Sequence, residues 1–124
     1  MNQKKNTILI IEDEPPIRKL LTITLEGKGY KAIDAEEGRA GARLVASVKP
    51  ELVLLDLGLP DASGIDLASA LSGLRPDPDI IAITAARDLP TVRRAVAHGA
   101  LLYLLKPFSY AAFAEKIEHY LRYR

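Results

Sequence analysis

The sequence predicts an α/β fold of the doubly wound type: one parallel sheet of five strands with helices on both faces. Two observations carry this. Short apolar runs alternate with longer stretches of helical periodicity along the whole chain. The connections between them are short, so successive strands are joined through right-handed helical crossovers and run parallel.

The first strand is the apolar run Ile8–Ile11, rich in β-branched residues. Continuous apolar runs suit strands buried on both faces, as in a parallel sheet. Pro15 and Pro16 sit where the first turn of a helix tolerates proline. Ile17, Leu20, Leu21, Thr24 and Leu25 then follow helical spacing until Gly27 and Gly29. Tyr30 to Ala35 alternates and reads as an edge strand ending in Asp34-Ala35-Glu36-Glu37, whose Asp34, Glu36 and Glu37 are expected as acids at a helix N-terminus. Ala40, Leu44, Val45 and Val48 mark a second helix stopped by Pro50. Leu52–Leu55 is the third strand, and Ile65, Leu67, Ala68 and Leu71 mark a third helix ended around Gly73 and Pro76. Ile80–Ile83 is the fourth strand. Pro90 opens a fourth helix with Val92, Ala95 and Val96 inside it and Gly99 after it. Leu101–Leu105 is the fifth strand. Of the consecutive Leu101 and Leu102, one must face away from the core. Ser109 is placed to cap a fifth helix carrying Phe113, Ile117, Tyr120 and Leu121 on one face.

At 124 residues the chain is one domain's worth, long enough to bury a core without disulfides or metals. A single domain over 1–124 is expected, with no output domain in this chain. With 48% apolar and 27% charged residues the balance is that of a globular protein. The net charge of +1 is too small to argue for nucleic acid or membrane as a direct partner. Arg122 and Arg124 read as a solvated helix end. The absence of cysteine rules out a thiol nucleophile and a zinc–thiolate site. No signal-peptide pattern and no bilayer-length apolar run occur, so a cytoplasmic domain is expected.

In an open α/β sheet, ligands bind beside the carboxyl ends of the strands. The first strand ends in Glu12-Asp13-Glu14, the third in Asp56, the fourth in Thr84 and the fifth in Lys106-Pro107. Asp13 and Asp56 are expected on neighbouring strands with Glu12 close by. Two like charges ~4 Å apart repel by about 4 kcal/mol at an effective dielectric of ~20. Such a cluster calls for a counter-charge, and a hard cation such as Mg²⁺ suits carboxylates, with the Gly58 carbonyl as a further ligand. Lys106 adds a mobile point charge and Thr84 a hydroxyl donor. A carboxylate nucleophile, a divalent cation, a lysine and a hydroxyl meet the needs of phosphoryl transfer, and the small Ala85 leaves room for the incoming group.

Each of these residues taken singly has a plainer reading. An Asp at a strand end is a turn former or a cap, a Thr suits a strand, and a Lys is a surface charge. Tyr103 alone reads as a packed aromatic. His98 and His119 lie on helices without a partner pattern and read as non-catalytic. It is the convergence of four strand ends on one edge that carries the chemistry.

The segments Ile8–Asp13 (ILIIED), Leu54–Gly64 (LLDLGLPDASG), Ile83–Ala85 (ITA) and Tyr103–Phe108 (YLLKPF), in this order, resemble the receiver domain of bacterial response regulators over essentially the whole chain. The resemblance implies a flavodoxin-like (βα)5 fold with a sheet of order 2-1-3-4-5. It also implies Asp56 as phosphoacceptor and Asp13 as direct Mg²⁺ ligand. Glu12 would act through water and Gly58 through its carbonyl. Thr84 and Lys106 would sense the phosphoryl group, Tyr103 would be a rotamer switch, and the Lys106–Pro107 bond would be cis. The phosphodonor would be a phosphohistidine on a sensor histidine kinase, and any DNA contact would fall to an output domain. Ala86 would sit where the hydrolytic water enters.

Leu54 to Asp66 resembles most the potassium-responsive regulators of the winged-helix transcription-factor branch. Thr91 to Phe108 resembles more the citrate and dicarboxylate regulators. That branch usually carries two acids before the switch tyrosine, where this chain reads Gly99-Ala100-Leu101-Leu102-Tyr103. A homodimer through the fourth helix, fifth strand and fifth helix would therefore be more apolar here. Two other functions fit parts of the pattern. A receiver-like binding module would keep the fold without phosphorylation. A small aspartyl-phosphate hydrolase would need a second acid two residues after the nucleophile, and Asp56-Leu57-Gly58 lacks it.

Overall fold

A computed structural model of the chain describes residues 7–61, 63–74, 78–85 and 89–123. The strands are β1 (Thr7–Ile11), β2 (Lys31–Ala35), β3 (Leu52–Asp56), β4 (Asp79–Thr84) and β5 (Leu102–Leu105). Between and after them come the helices α1 (Pro15–Gly27), α2 (Gly38–Val48), α3 (Gly64–Ser72), α4 (Leu89–Ala97) and α5 (Tyr110–Tyr123). All strand pairs are parallel and the order is β2-β1-β3-β4-β5. The alternating strand read at Tyr30 to Ala35 is an edge strand. The order reverses between β1 and β3, which puts a crevice beyond their carboxyl ends.

Alternate residues along each strand feed opposite faces of the sheet. Ile8, Ile10, Leu52, Leu54, Ile81 and Ile83 pack with Leu21 and Leu25 of α1 and Phe113, Ile117 and Tyr120 of α5. Leu9, Ile11, Val53, Leu55, Ile80 and Ala82 pack with Val45 of α2, Ile65, Ala68 and Leu71 of α3, and Ala95 of α4. Each fully buried Leu, Ile or Phe contributes roughly 1.5–3 kcal/mol. Burial on both faces is what makes these strands read as continuous apolar runs.

The helix ends follow local chemistry. Pro15 and Pro16 open α1, where their missing N–H groups would have no intrahelical partner. Gly29 leaves it with φ of 91°, a conformation that favours glycine. The α3 N-terminus is capped by Ser63, whose Oγ accepts from the Asp66 N–H at 3.2 Å. Ser109 caps α5 in the same way, accepting from the Ala112 N–H at 3.0 Å.

Two expectations change. Leu101 precedes β5 rather than belonging to it and is half exposed, while Leu102 packs against the core. Its N–H still donates to the Ile80 carbonyl at 2.7 Å, so the chain is aligned with β4 one residue before the strand begins. Second, of the acids expected at a helix N-terminus only Glu36 and Glu37 stand there, Glu37 as the N-cap residue of α2. Asp34 lies in β2 and pairs with Arg18 at 3.2 Å, Glu36 approaches Arg18 at 3.7 Å, and the Glu37 side chain makes no capping bond. The first N–H groups of α2 go instead to Asp61, in the segment after β3. Pro76, Ala86 and Arg124, named from the sequence, lie outside the described residues. Among the described residues no helix is long and apolar enough to cross a membrane.

Candidate functional site

Four strand ends meet at the crevice. Glu12, Asp13 and Glu14 follow β1. Asp56 and Thr84 are the last residues of β3 and β4, and Lys106 follows β5. The strand register fixes this: Ile11 lies beside Leu55, Asp56 beside Ile83, and Thr84 beside Leu105. The Lys106 N–H donates to the Thr84 carbonyl at 2.8 Å, and the Lys106–Pro107 peptide bond is cis. The resulting cleft, about 370 Å³ in volume, is lined by Asp13, Glu14, Asp56, Leu57, Gly58, Ile65, Thr84, Ala85 and Lys106.

Lys106 is the centre of the charge arrangement. Its Nζ lies 3.0 Å from Glu12 Oε2, 3.2 Å from Asp56 Oδ2 and 3.3 Å from Glu14 Oε2. Burial alone would pull the ammonium down, but the bond to Glu12 and the charges of Asp56 and Glu12 outweigh it and push the pKa up. Asp56 is buried, and its Oδ1 accepts from the Gly58 N–H at 2.8 Å.

Glu12 has no exposed surface. Its Oε2 accepts from Lys106 and from the Glu14 N–H at 3.1 Å. Its Oε1 is the buried side-chain oxygen without a hydrogen-bond partner among the described residues. Burial, reinforced by the Asp56 charge, pushes its pKa up to about 7 against the pull of the Lys106 bond. Glu12, Asp13 and Asp56 each offer a carboxylate oxygen within 4.8 Å of the others. The Arg18 guanidinium donates to the Glu12 carbonyl at 3.0 Å and so steadies the turn that presents Asp13.

The structure thus gathers Glu12, Asp13, Asp56, Gly58, Thr84 and Lys106, all named from the sequence. It does not bring Tyr103 to the cleft. That side chain is partly exposed on β5, with Lys116 Nζ 5.6 Å from its ring centre. Two contributors were missed. Glu14, named only as part of an acidic run, is a third partner of Lys106. Arg18 was absent from the helical pattern because it lies off the apolar face of α1. Its spacing from Asp34 gives no hint that the two meet.

The response regulator receiver domain family matches residues 8–118. This chain belongs to that family. The receiver is 38% identical over 115 residues to the transcriptional regulatory protein KdpE of Mycobacterium tuberculosis, covering 93% of this chain and 50% of that protein. It is 32% identical over 122 residues to the probable C4-dicarboxylate response regulator DctR of Priestia megaterium, covering 97% and 54%. A CheY-like response regulator receiver domain protein from Methanospirillum hungatei has the same fold. The TM-score is 0.87 at 28% identity, covering 96% of this chain and 95% of that one. The receiver spans about half the length of the two regulators.

Proposed function

We propose that this receiver takes a phosphoryl group from a phosphohistidine of a sensor histidine kinase onto Asp56, in the cytoplasm, with Mg²⁺ as cofactor. The observation that carries the reading is the set of three carboxylates with oxygens within 4.8 Å of one another, Asp56 among them, beside one lysine. A carboxylate oxygen of Asp56 forms the new O–P bond as the P–N bond to the donor imidazole breaks. The electron pair stays on the imidazole nitrogen, which takes up a proton.

The donor set suits Mg²⁺. The oxygens are hard, and Glu12 Oε1, without a partner among the described residues, would accept from metal-bound water. Asp13, Asp56 and the Gly58 carbonyl would hold the ion, with Glu12 acting through water. Mg²⁺, when bound, supplies positive charge next to the phosphoryl oxygens. Lys106, already 3.2 Å from Asp56, would add a second positive charge to those oxygens. Thr84, buried at the end of β4, would donate its hydroxyl to them. Catalysis here is positioning and charge neutralisation, applied to the domain's own phosphorylation and dephosphorylation.

An added phosphate brings roughly −1.5 to −2 charge. Thr84 and Lys106 would follow it, and Tyr103 would carry the change to the face made by α4, β5 and α5. That face exposes Val96, Leu101, Tyr103 and Tyr110, which supports an apolar rather than a charged homodimer contact. Contact with DNA is assigned to an output domain, in line with the length of the relatives beyond the matched part.

Incubation with Mg²⁺ and acetyl phosphate, followed by intact mass and a size measurement on the same sample, tests the reading. One phosphoryl group is expected on the wild type and none on Asp56→Asn, with a larger species only in the labelled sample. An unlabelled wild type would leave a receiver-like binding module. Labelling without a size change would remove the homodimer.

A further inference from the structure

Asp61 follows β3 by five residues and takes no part in the charge cluster. Its carboxylate crosses to α2. Oδ1 accepts from the Gly38 N–H at 2.9 Å and Oδ2 from the Arg39 N–H at 3.1 Å. These are orphan donors that a helix cannot satisfy from within. The local sequence does not satisfy them either: Glu37 makes no side-chain cap and the first turn of α2 carries no acid. The two backbone bonds, to Gly38 first and then Arg39, hold the Asp61 carboxyl below the usual carboxylate range, so it is ionised wherever the receiver works. The side chain is 18% exposed, and its contact with the Arg39 side chain is long, at 3.9 Å.

The position of this tether gives it a second role. The segment from Leu57 to Asp61 begins with the Leu57 N–H bonded to the Ile83 carbonyl at 2.8 Å and the Gly58 N–H bonded to Asp56. Leu59 is then buried among the side chains under α2 and α3. Asp61 closes the segment onto a different element, 22 and 23 residues away in sequence. Gly58 therefore sits between a bond to Asp56 and a fixed point on α2. We propose that Asp61 is a positioning residue for the Mg²⁺ site, setting the height of Gly58 over Asp56 by anchoring the segment after β3 to the N-terminus of α2. This rests on the assignment of Gly58 and Asp56 as ligands made above.

Mg²⁺ affinity of the full chain, measured by calorimetry, tests it, together with the amide proton shift of Gly58 and the melting temperature. Asp61→Ala is expected to bind Mg²⁺ about tenfold more weakly, the scale of losing a group that orients a metal ligand. Its Gly58 amide proton should move toward the solvent-exposed position. Asp61→Asn keeps one acceptor and should fall between it and the wild type. Tyr120→Phe is the comparison for stability alone. It removes the bond from Tyr120 Oη to Asp79 Oδ2, 2.9 Å long, at the amino end of β4 and far from the cleft. It should lower the melting temperature and leave Mg²⁺ affinity and Gly58 unmoved. Equal Mg²⁺ affinity in Asp61→Ala and wild type would overturn the tether and leave the metal assignment standing. A wild type that binds no Mg²⁺ overturns both. If Asp61→Ala does not fold, an unmoved Gly58 amide in Asp61→Asn overturns the tether.

Discussion

Glu12 is a carboxylate without exposed surface, one of whose oxygens has no partner among the described residues while the other shares Lys106 with Asp56 and Glu14. Its pKa of about 7 in the folded chain exceeds its ordinary 4.5. Between those values the native state holds a proton that the unfolded chain has released. In metal-free buffer this group's contribution to stability is therefore complete below about pH 4.5, and is lost as pH rises to about 7. The loss is on the order of 1–3 kcal/mol. Glu12→Gln should remove it. Urea denaturation of both proteins at several pH values from 5 to 8 checks this, and parallel pH curves would disprove it. Much of the site at this scale was legible in the sequence. Asp56, Thr84 and Lys106 stand directly after apolar runs and Asp13 one residue further on, and strand ends are readable. The protonation of Glu12, the Arg18 bond and the Asp61 anchor were not. They depend on how segments cross in space, and no local pattern encodes that.

The corner between α3 and α4 shows what an element end demands. Ser72, the last residue of α3, donates its hydroxyl to the Ala68 carbonyl at 2.9 Å and lies 3.1 Å from the His98 carbonyl. Gly99 follows α4 with φ of 116°, and a Cβ there would run into the Ser72 Oγ. Gly99→Ala thus meets both backbone strain, about 1–3 kcal/mol, and a collision. The collision should ease when Ser72 is shortened. In a Ser72→Ala background Gly99→Ala is expected to destabilise less, with a coupling of about 1 kcal/mol across the four proteins by chemical denaturation. Additive losses would show that strain alone sets the effect. Gly99 was readable as a helix stop, but its neighbour across the corner was not. The same divide holds elsewhere. The five strands and five helices follow from apolar periodicity and from Pro, Gly and Ser at their ends. The start of β5 does not, because Leu101 and Leu102 are the same residue type and only packing separates them. The strand order came from family resemblance, since short βα connections alone admit several orders.

At the scale of the whole molecule, the site exists only because the sheet order reverses between β1 and β3. Asp13, Asp56 and Lys106 are 43 and 50 residues apart along the chain and share one cleft only when β1, β3, β4 and β5 have paired. An unfolded chain offers Mg²⁺ scattered carboxylates, so the ion should bind the native state selectively and stabilise it by mass action. At a free concentration of 100 times its dissociation constant the gain is about 2.7 kcal/mol, which for a domain of this size is a rise on the order of 10 °C in melting temperature. Screening of the repulsion among the acids would also stabilise the fold, and salt supplies that as well. The two effects separate in a melting series at fixed pH. Mg²⁺ should raise the melting temperature well beyond NaCl at matched ionic strength, and a chelator should reverse it. Asp13→Asn and Asp56→Asn should each lose most of the Mg²⁺-specific part, because each removes one of the three carboxylates that converge within 4.8 Å. If NaCl reproduces the whole rise, the acidic cluster is a strained surface relieved by screening, and the Mg²⁺ assignment fails.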